Sequence, residues 1–427
     1  MSRSKKTTAT TEDAKPVLAP KLRFPGFKEA ASWDSTILGG LSEVVRGGSP
    51  RPIDGFLTTD ADGLNWLKIG YVDKEAKFVT QTAEKVRPEA LSKTRVVNTG
   101  DLILSNSMSF GRPYILQIKT CIHDGWIAIT DISKNADRDF LYYLISSPSS
   151  QSYFVDNAAG SGVQNLNADI IKALPVCFPT PAEQQKIAEC LSSVDELLAA
   201  QARKVDALKT HKKGLMQQLF PREGETKPRL RFPEFQNAGE WKPRALAEVC
   251  SSFSGGTPTT SEPRYYGGDI AFIRSAEIAR DRTELFLTRE GLLASSAKMV
   301  AKGDVLVALY GANSGDVAIA KIGGAINQAI LCLKSKESDY FIYQFLSFKK
   351  DWIVATYLQG GQGNLSGEIV KSIEVWFPSP DEQQRIASSL SSLDALITAE
   401  TQKLESLKTH KKGLMQQLFP SPEEVEG

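Results

Sequence analysis

Histidine and cysteine are both scarce in this chain, with three and five residues among 427. Cys121, Cys177, Cys190, Cys250 and Cys332 are odd in number, widely spaced and never in a C-x-x-C arrangement. That excludes a disulfide framework and a zinc cluster, and leaves them as reduced interior residues. No run approaches the roughly 18 apolar residues of a membrane-spanning helix. With 41% hydrophobic and 24% charged residues, the composition is that of an ordinary globular protein, expected in the cytoplasm. Met1 to Pro20 has no apolar stretch and reads as a disordered leader, not a signal peptide. A formal charge of +1 argues against a histone-like binder, which needs a large positive excess, yet a balanced total can hide a basic face.

Catalytic signatures are missing as well. The chain has no G-x-x-x-x-G-K-[ST] phosphate loop, no G-x-G-x-x-G after a strand, no H-E-x-x-H and no G-x-S-x-G. It also lacks the Pro-Pro-aromatic loop of an amino-methyltransferase. Of the three histidines, His123 stands alone, while His211 and His410 occupy equivalent places beside lysines and read as solvated or interface residues.

What is present is a duplication. Phe178 to Pro221 aligns without gaps on Phe377 to Pro420 at an offset of 199 residues, with 29 of 44 positions identical. The last thirteen, Lys209 to Pro221 and Lys408 to Pro420, read KTHKKGLMQQLFP in both copies. A second match opens each copy, at an offset of 208: LRFPGF after Lys21 and LRFPEF after Arg229, followed by Trp33 and Trp241, then Gly47-Gly48-Ser49-Pro50 and Gly255-Gly256-Thr257-Pro258. Between these anchors only Gly100-Asp101 with Gly303-Asp304, and Asn165-Leu166 with Asn364-Leu365, recur. The copies share a fold and differ in surface, so the constant parts do one task twice and the divergent parts do different tasks.

The constant part reads as a long amphipathic helix. Thr180 and Ser379 are placed as N-caps, with proline in the first turn and Glu183 and Glu382 spaced to complete a capping box. Ile187, Leu191, Val194, Leu198, Val205, Leu208, Leu215 and Leu219 follow a coiled-coil spacing, repeated by Ile386, Leu390, Leu393, Ile397, Leu404, Leu407, Leu414 and Leu418. Gln201 and Lys212, with Glu400 and Lys411, interrupt the seam as register devices or as frayed surface. Each helix would span roughly 55 Å, and the other copy is its obvious partner. An approximate two-fold axis would pack the two antiparallel, with the globular parts at opposite ends like a caliper.

The globular parts, Trp33 to Val176 and Trp241 to Trp376, hold short β-type runs: Asn65 to Tyr71, Asp101 to Leu104, Ala271 to Ile273, Asp304 to Tyr310 and Val317 to Ile322. Helical patterns fall at Arg138 to Ser146 and Ser338 to Ser347, which makes the class α+β. The expected division is a leader over 1–20, globular domains over 21–178 and 222–377, spacer helices over 179–221 and 378–420, and a tail over 421–427. Near glycines and strand ends stand residues suited to nucleic acid. In the first copy they are Arg46, Arg51, Lys68, Tyr71, Asn106, Arg112, Gln164 and Asn165. In the second they are Thr259, Thr260, Arg264, Tyr265, Tyr266, Arg274, Tyr310, Asn313, Gln362 and Asn364. Arginine suits bidentate contact with guanine, asparagine and glutamine suit adenine, and hydroxyls and lysine hold phosphates.

The Phe-Pro-x-Pro-x-Glu-Gln-Gln-[Lys/Arg]-Ile-Ala opening, the helix, its Lys-Lys-Gly-Leu-Met-Gln-Gln-Leu-Phe-Pro close and the second copy resemble the specificity subunit of type I restriction-modification enzymes, over nearly the whole chain from Lys21. The resemblance implies two tandem target recognition domains of mixed α/β structure, separated by two long antiparallel coiled-coil helices in a pseudo-two-fold repeat. Each domain would read half of a bipartite site on double-stranded DNA, and the helices would set the spacer. It implies no catalysis and no cofactor in this chain. Two modification (methyltransferase) subunits would bring S-adenosylmethionine, and restriction subunits, ATP-dependent translocases and nucleases, would use ATP and Mg. The identical helix ends suggest a docking place for the modification subunits at Lys212, Lys213, Leu215 and Met216, and at Lys411, Lys412, Leu414 and Met415. The alternative for these ends is packing against a globular domain, and for the whole chain a scaffold that binds proteins and no DNA.

Overall fold

Alternating apolar residues in short strands and a 3.6-residue period in the helices build two compact units, residues 1–200 with 404–427, and residues 201–403. The computed structural model describes residues 19–106, 110–158, 165–222, 224–357 and 364–420. The long helices run over Pro181–Leu219 and Pro380–Leu418. Each contributes its first half to one unit and its last half to the other. Among the described residues no helix is long and apolar enough to cross a membrane.

The first unit contains two five-stranded sheets and a ribbon. One sheet orders Leu57–Thr58, Glu84–Val86, Leu64–Leu67, Thr120–Ile122 and Arg95–Val97; the other orders Glu43–Arg46, Trp126–Thr130, Leu102–Ser105, Pro113–Leu116 and Phe78–Val79. Asp34–Ile37 pairs antiparallel with Pro175–Phe178 as the ribbon. The strand Leu102–Ser105 is buried on both faces, as a central strand covered on two sides must be. Ile103 joins the cluster between the sheets, with Trp126 and Tyr114. Leu102 and Leu104 point to the helical side, against Phe140, Leu191 and Phe419.

The second unit repeats the plan with two four-stranded sheets, ordered Cys250–Ser254, Ile330–Ser335, Val305–Ala308, Val317–Ile319 and Leu285–Leu287, Tyr266–Ile273, Gly324–Ile326, Lys298–Val300. Lys242–Ala245 and Glu374–Phe377 form its ribbon. Leu306 and Ala308 face the core between the sheets, and Val305 and Val307 face the helices. The α+β class read from the sequence therefore holds in both copies. Gly100 and Gly303 adopt φ of 98° and 101°, a region open to glycine. The aspartate after each closes the turn by accepting a backbone N–H, from Asn98 at 2.7 Å and from Ala301 at 2.8 Å.

Within each unit the two helix segments run antiparallel. In the first, Asp195 pairs with Lys411 at 2.6 Å while Ile187 and Leu191 share a core with Met415 and Leu418. In the second, Lys212 pairs with Asp394 at 2.6 Å while Met216 and Leu219 meet Ile386 and Leu390. The polar interruptions of the seam are thus specific contacts. Gln201, 7% exposed, donates to the carbonyl and carboxylate of Glu400, at 2.8 and 2.6 Å. Asp195 also accepts from the Tyr143 hydroxyl at 2.7 Å, and the equivalent Asp394 from Gln344 at 2.7 Å. A buried polar contact of this kind fixes register because any slip leaves it unpaired.

The proposed capping box does not form. The Glu183 carboxylate is taken by Arg23, Nε to Oε1 and Nη2 to Oε2 both at 2.8 Å, and the Glu382 carboxylate by Arg231 at 2.8 and 2.6 Å. A bidentate charge-assisted pair outcompetes a single bond to a backbone N–H. The Ser379 hydroxyl still accepts from Glu382 N at 3.4 Å. Each arginine belongs to the LRFP motif, and the preceding leucine continues the staple. Leu22 N donates to Gln417 O at 2.9 Å, and Leu230 N to Gln218 O at 3.0 Å. The repeated opening motif thereby ties the start of one long helix to the end of the other. The following glutamines, Gln184 and Gln383, are fully buried, and their amides donate to the Pro179 and Pro378 carbonyls at 2.8 and 3.1 Å.

Candidate nucleic-acid interface

Glycine pairs are conformationally costly, and the repeated Gly-Gly-[Ser/Thr]-Pro keeps its pair because the backbone beside it leaves no room for a side chain. A Cβ on Gly47 would lie 2.3 Å from the His123 carbonyl oxygen, and one on Gly255 1.8 Å from that of Ile326. The next glycine in each copy donates its N–H to equivalent carbonyls, Gly48 to Ile122 at 3.1 Å and Gly256 to Ile326 at 3.2 Å. Both motifs therefore clamp one loop, 122–126 in the first unit and 326–330 in the second.

The clamped loops share three bonds although their residues differ. His123 Nδ1 accepts from Gly125 N at 2.9 Å, and Asn327 Oδ1 from Ala329 N at 3.1 Å. Asn106 N donates to Gly125 O at 3.1 Å, and Leu309 N to Ala329 O at 2.8 Å. The hydroxyl of the clamp reaches the next side chain, Ser49 Oγ to Asp124 Oδ1 at 2.9 Å and Thr257 Oγ1 to Gln328 Oε1 at 2.6 Å. Asp124 and Gln328 thus hold the same place.

Around Asp124 the first unit gathers cations. Arg51 Nη2 stands 3.3 Å from Asp124 Oδ2, and its side chain is 81% exposed. Arg46 Nε donates to Asp124 O at 2.9 Å, Asn106 Nδ2 to the same carbonyl at 3.2 Å, and Arg95 Nε to Arg46 O at 3.1 Å. A cleft of about 140 Å³ lies between Ser49, Arg51, Trp66, Lys68 and His123. Burial works against the Asp124 charge, but the Ser49 hydrogen bond and the neighbouring positive charges, Arg46 and Arg51 among them, outweigh it and hold the carboxyl below its ordinary range. Burial pushes His123 below its ordinary range despite the neighbouring Asp124. The bond that Nδ1 accepts from Gly125 requires the unprotonated nitrogen, so the 3.0 Å approach to Asp124 is no ion pair.

The structure brings together Arg46, Arg51, Lys68 and Asn106 of the residues singled out from the sequence. Asn165 is exposed beside them, next to Leu166, whose N–H reaches Asn106 O at 3.0 Å. Lys68 is paired with Glu84 at 2.8 Å, and Tyr71 is exposed beyond the strand Leu64–Leu67. Arg112 lies elsewhere, in a cleft of about 480 Å³ with Lys74, Lys408, Lys411 and Lys412. In the second unit Thr259 and Thr260 follow the clamp and are exposed, and Tyr266 donates to Pro258 O at 2.8 Å. Arg264 is exposed over the Tyr265 ring and paired with Glu262 and Glu290 at 3.2 and 3.4 Å. Tyr310 and Asn313 bracket the turn after the strand Val305–Ala308, and Asn364 precedes Leu365, which bonds to Leu309 O. Arg274 stands where Lys68 stands in the first copy, but Glu277 and Glu284 hold its guanidinium at 3.0 and 2.6 Å. Gln164 and Gln362 fall outside the described residues. The sequence reading missed Asp124 and Gln328. The clamp glycines were the one signal for them, since the loops they hold have only Ile122 and Ile326 in common.

The helix ends turn largely inward. Met216 and Met415 are buried in the cores of the second and first unit, and Leu215 and Leu414 pack against the same cores. Lys212 and Lys411 are committed to Asp394 and Asp195, beside the Tyr343 and Tyr143 rings. Lys213 and Lys412 are exposed. The identity of the two ends therefore has an internal reason, with Phe220 and Phe419 entering equivalent aromatic cores against Phe341 and Phe140 at 5.7 and 5.5 Å.

The sequence profile described as the type I restriction modification DNA specificity domain matches residues 32–210 and 238–409. The MjaVIII type I restriction enzyme specificity subunit of Methanocaldococcus jannaschii is 23% identical over 417 residues, 92% of this chain and 93% of its own. The MjaIX specificity subunit of the same organism is 31% identical over 183 residues, 40% of this chain and 41% of its own. The crystal structure of the type I restriction-modification S subunit from M. genitalium superposes with a TM-score of 0.60 at 16% identity, covering 94% of this chain and 99% of that one. A chain from a study of complex assembly and conformational transition of the type I system superposes at 0.57, also at 16% identity, covering 91% and 97%. At these identities the structural likeness bears on the fold.

Proposed function

Because the chain belongs to the type I restriction-modification DNA specificity family, we propose that each of its units reads one half of a bipartite DNA target through the end at which the glycine clamp sits. The observation that carries this is the clamp itself. One backbone frame recurs in both units and presents different chemistry, Arg51 with Asp124 in the first and Thr259 with Gln328 in the second. A scaffold used twice with exchanged side chains is what two different half-sites require, since base edges are distinguished by donor and acceptor pattern.

Arg46, Lys68, Arg95 and Asn165 in the first unit, and Thr260, Arg264, Tyr310 and Asn364 in the second, would meet phosphates and neighbouring bases. The long helices would fix the number of unread base pairs between half-sites. Modification subunits would dock along them, with Lys213 and Lys412 among the exposed members of the repeated ends. In this reading the chain supplies recognition, and the modification and restriction subunits supply S-adenosylmethionine, ATP and Mg chemistry in the cytoplasm. Replacing Trp33 to Val176 by the corresponding domain of a relative tests the assignment. Methylation mapped across host DNA should change in one half of the recognised motif alone, and a change in both halves would refute it.

A further inference from the structure

The clamped loop does more than mark an end of the domain, because its geometry singles out one side chain per unit. In the second unit Gln328 is exposed, and the Thr257 hydroxyl donates to its Oε1 at 2.6 Å. That bond holds the amide at the clamp through a hydroxyl able to serve either of its polar atoms. A held amide presents one acceptor and one donor side by side, the pattern complementary to N6–H and N7 of adenine. In the first unit the same place is taken by Asp124, whose carboxylate is already engaged by Ser49 and Arg51. The free end there is the guanidinium of Arg51, held at one nitrogen and 81% exposed. A guanidinium fork suits O6 and N7 of guanine. Thr259 stands at the Arg51 place in the second unit and carries no charge, so it does not draw the Gln328 side chain as Arg51 draws that of Asp124.

We propose that the loop clamped by Gly-Gly-[Ser/Thr]-Pro is the base-reading element of both units, with Gln328 reading adenine in the second and Arg51, positioned by Asp124, reading guanine in the first. The inference rests on the half-site reading above and adds to it the identity of one base per half-site. Thr257 and Asp124 act through Gln328 and Arg51 and are positioning residues.

The test uses the full chain assembled with its modification subunits and duplexes selected from randomised half-sites, with base preference at each position as the readout. Gln328→Ala should lose about tenfold to hundredfold discrimination for adenine at one position of one half-site, leaving the other half-site unchanged. Gln328→Glu, which keeps the shape and loses the donor, should shift that position towards cytosine. Thr257→Val should weaken the same preference and Thr257→Ser restore it. Asp124→Asn should relax a guanine in the other half-site only. A uniform loss of affinity with base preferences intact, together with a salt slope reduced by about one, would make these residues phosphate contacts and overturn the proposal. Effects at several positions or in both half-sites overturn it too. If the unaltered complex selects no bipartite sequence, it is the half-site reading that fails.

Discussion

Cutting the Arg231 to Glu382 staple should unfold the second unit preferentially, and the geometry sets the size of the effect. The two side chains are 8% and 1% exposed, joined by two parallel bonds, and Arg231 Nη1 also donates to Ala238 O at 2.7 Å. Arg231→Met leaves the Glu382 carboxylate buried without its partner, which costs about 3–5 kcal/mol. Removing both charges, as Arg231→Met with Glu382→Leu, strands no charge, and well-packed apolar replacements of a buried pair are often neutral or stabilising. The double variant should therefore be more stable than either single one. Hydrogen exchange resolved by segment is the suitable assay, because global unfolding of a chain with two units is not one transition. Protection over Lys242–Ala245 and Glu374–Phe377 should fall by a factor of about a hundred or more in the single variant, with Asp34–Ile37 and Pro175–Phe178 unchanged. As a control, separating Arg385 and Glu234, 50% and 48% exposed at 3.0 Å, should leave protection nearly unchanged. If Arg231→Met and the double variant lose equal protection, the stranded charge is not the cause and the reasoning fails.

Gly255→Ala drives a methyl to 1.8 Å from the Ile326 carbonyl oxygen. It should destabilise the second unit by about 1–3 kcal/mol, measured by denaturant titration, and weaken binding to one half-site only. The Glu277 carboxyl is opposed by burial, but Arg274 and two backbone N–H groups outweigh this and hold it at about 2 against an ordinary 4.5. A depressed carboxyl stabilises above its unfolded value, so up to about 3 kcal/mol is present above pH 4.5 and is lost as pH falls from 4.5 towards 2. Glu277→Gln should flatten that stretch of the stability profile. Lys213→Glu with Lys412→Glu should weaken assembly with modification subunits in pull-down while leaving thermal stability unchanged. Lys212→Glu should instead lower stability by setting two carboxylates against each other at Asp394, and unchanged stability would show that this ion pair contributes nothing.

Long-period features were legible in the sequence, and short-range β structure was less so. The helices Pro181–Leu219 and Pro380–Leu418 announce themselves through an apolar period sustained over many turns. The strand Tyr266–Ile273 was read only as Ala271 to Ile273, because Gly267 and Gly268 hide its start and the register shifts between Tyr266 and Ile270. The helix Asp339–Tyr357 was cut short at Ser347 by the polar run Lys349, Lys350 and Asp351, although Ile353 beyond it is buried in the core. At the site the glycine clamps could be found because close backbone approach forbids substitution. The loops they hold could not, since His123-Asp124 and Asn327-Gln328 share a hydrogen-bond pattern carried by the main chain and by interchangeable acceptors.

Identity between two copies within one chain has two physical origins, and the helix ends tell them apart. A surface that binds the same partner twice would keep its exposed residues and let its buried ones vary in concert with their surroundings. Here the kept residues Met216, Leu219 and Phe220, with Met415, Leu418 and Phe419, are buried, and their surroundings are kept too. Arg23, Glu183 and Gln184 recur as Arg231, Glu382 and Gln383, and Asp195 as Asp394. Two cores built alike explain that much without any partner. They do not explain Lys209, Thr210, His211, Lys213, Gln217 and Gln218, or Lys408, Thr409, His410, Lys412, Gln416 and Gln417, which are exposed and identical all the same. This exposed remainder, smaller than the full repeated motif, is what a shared docking partner would have to recognise.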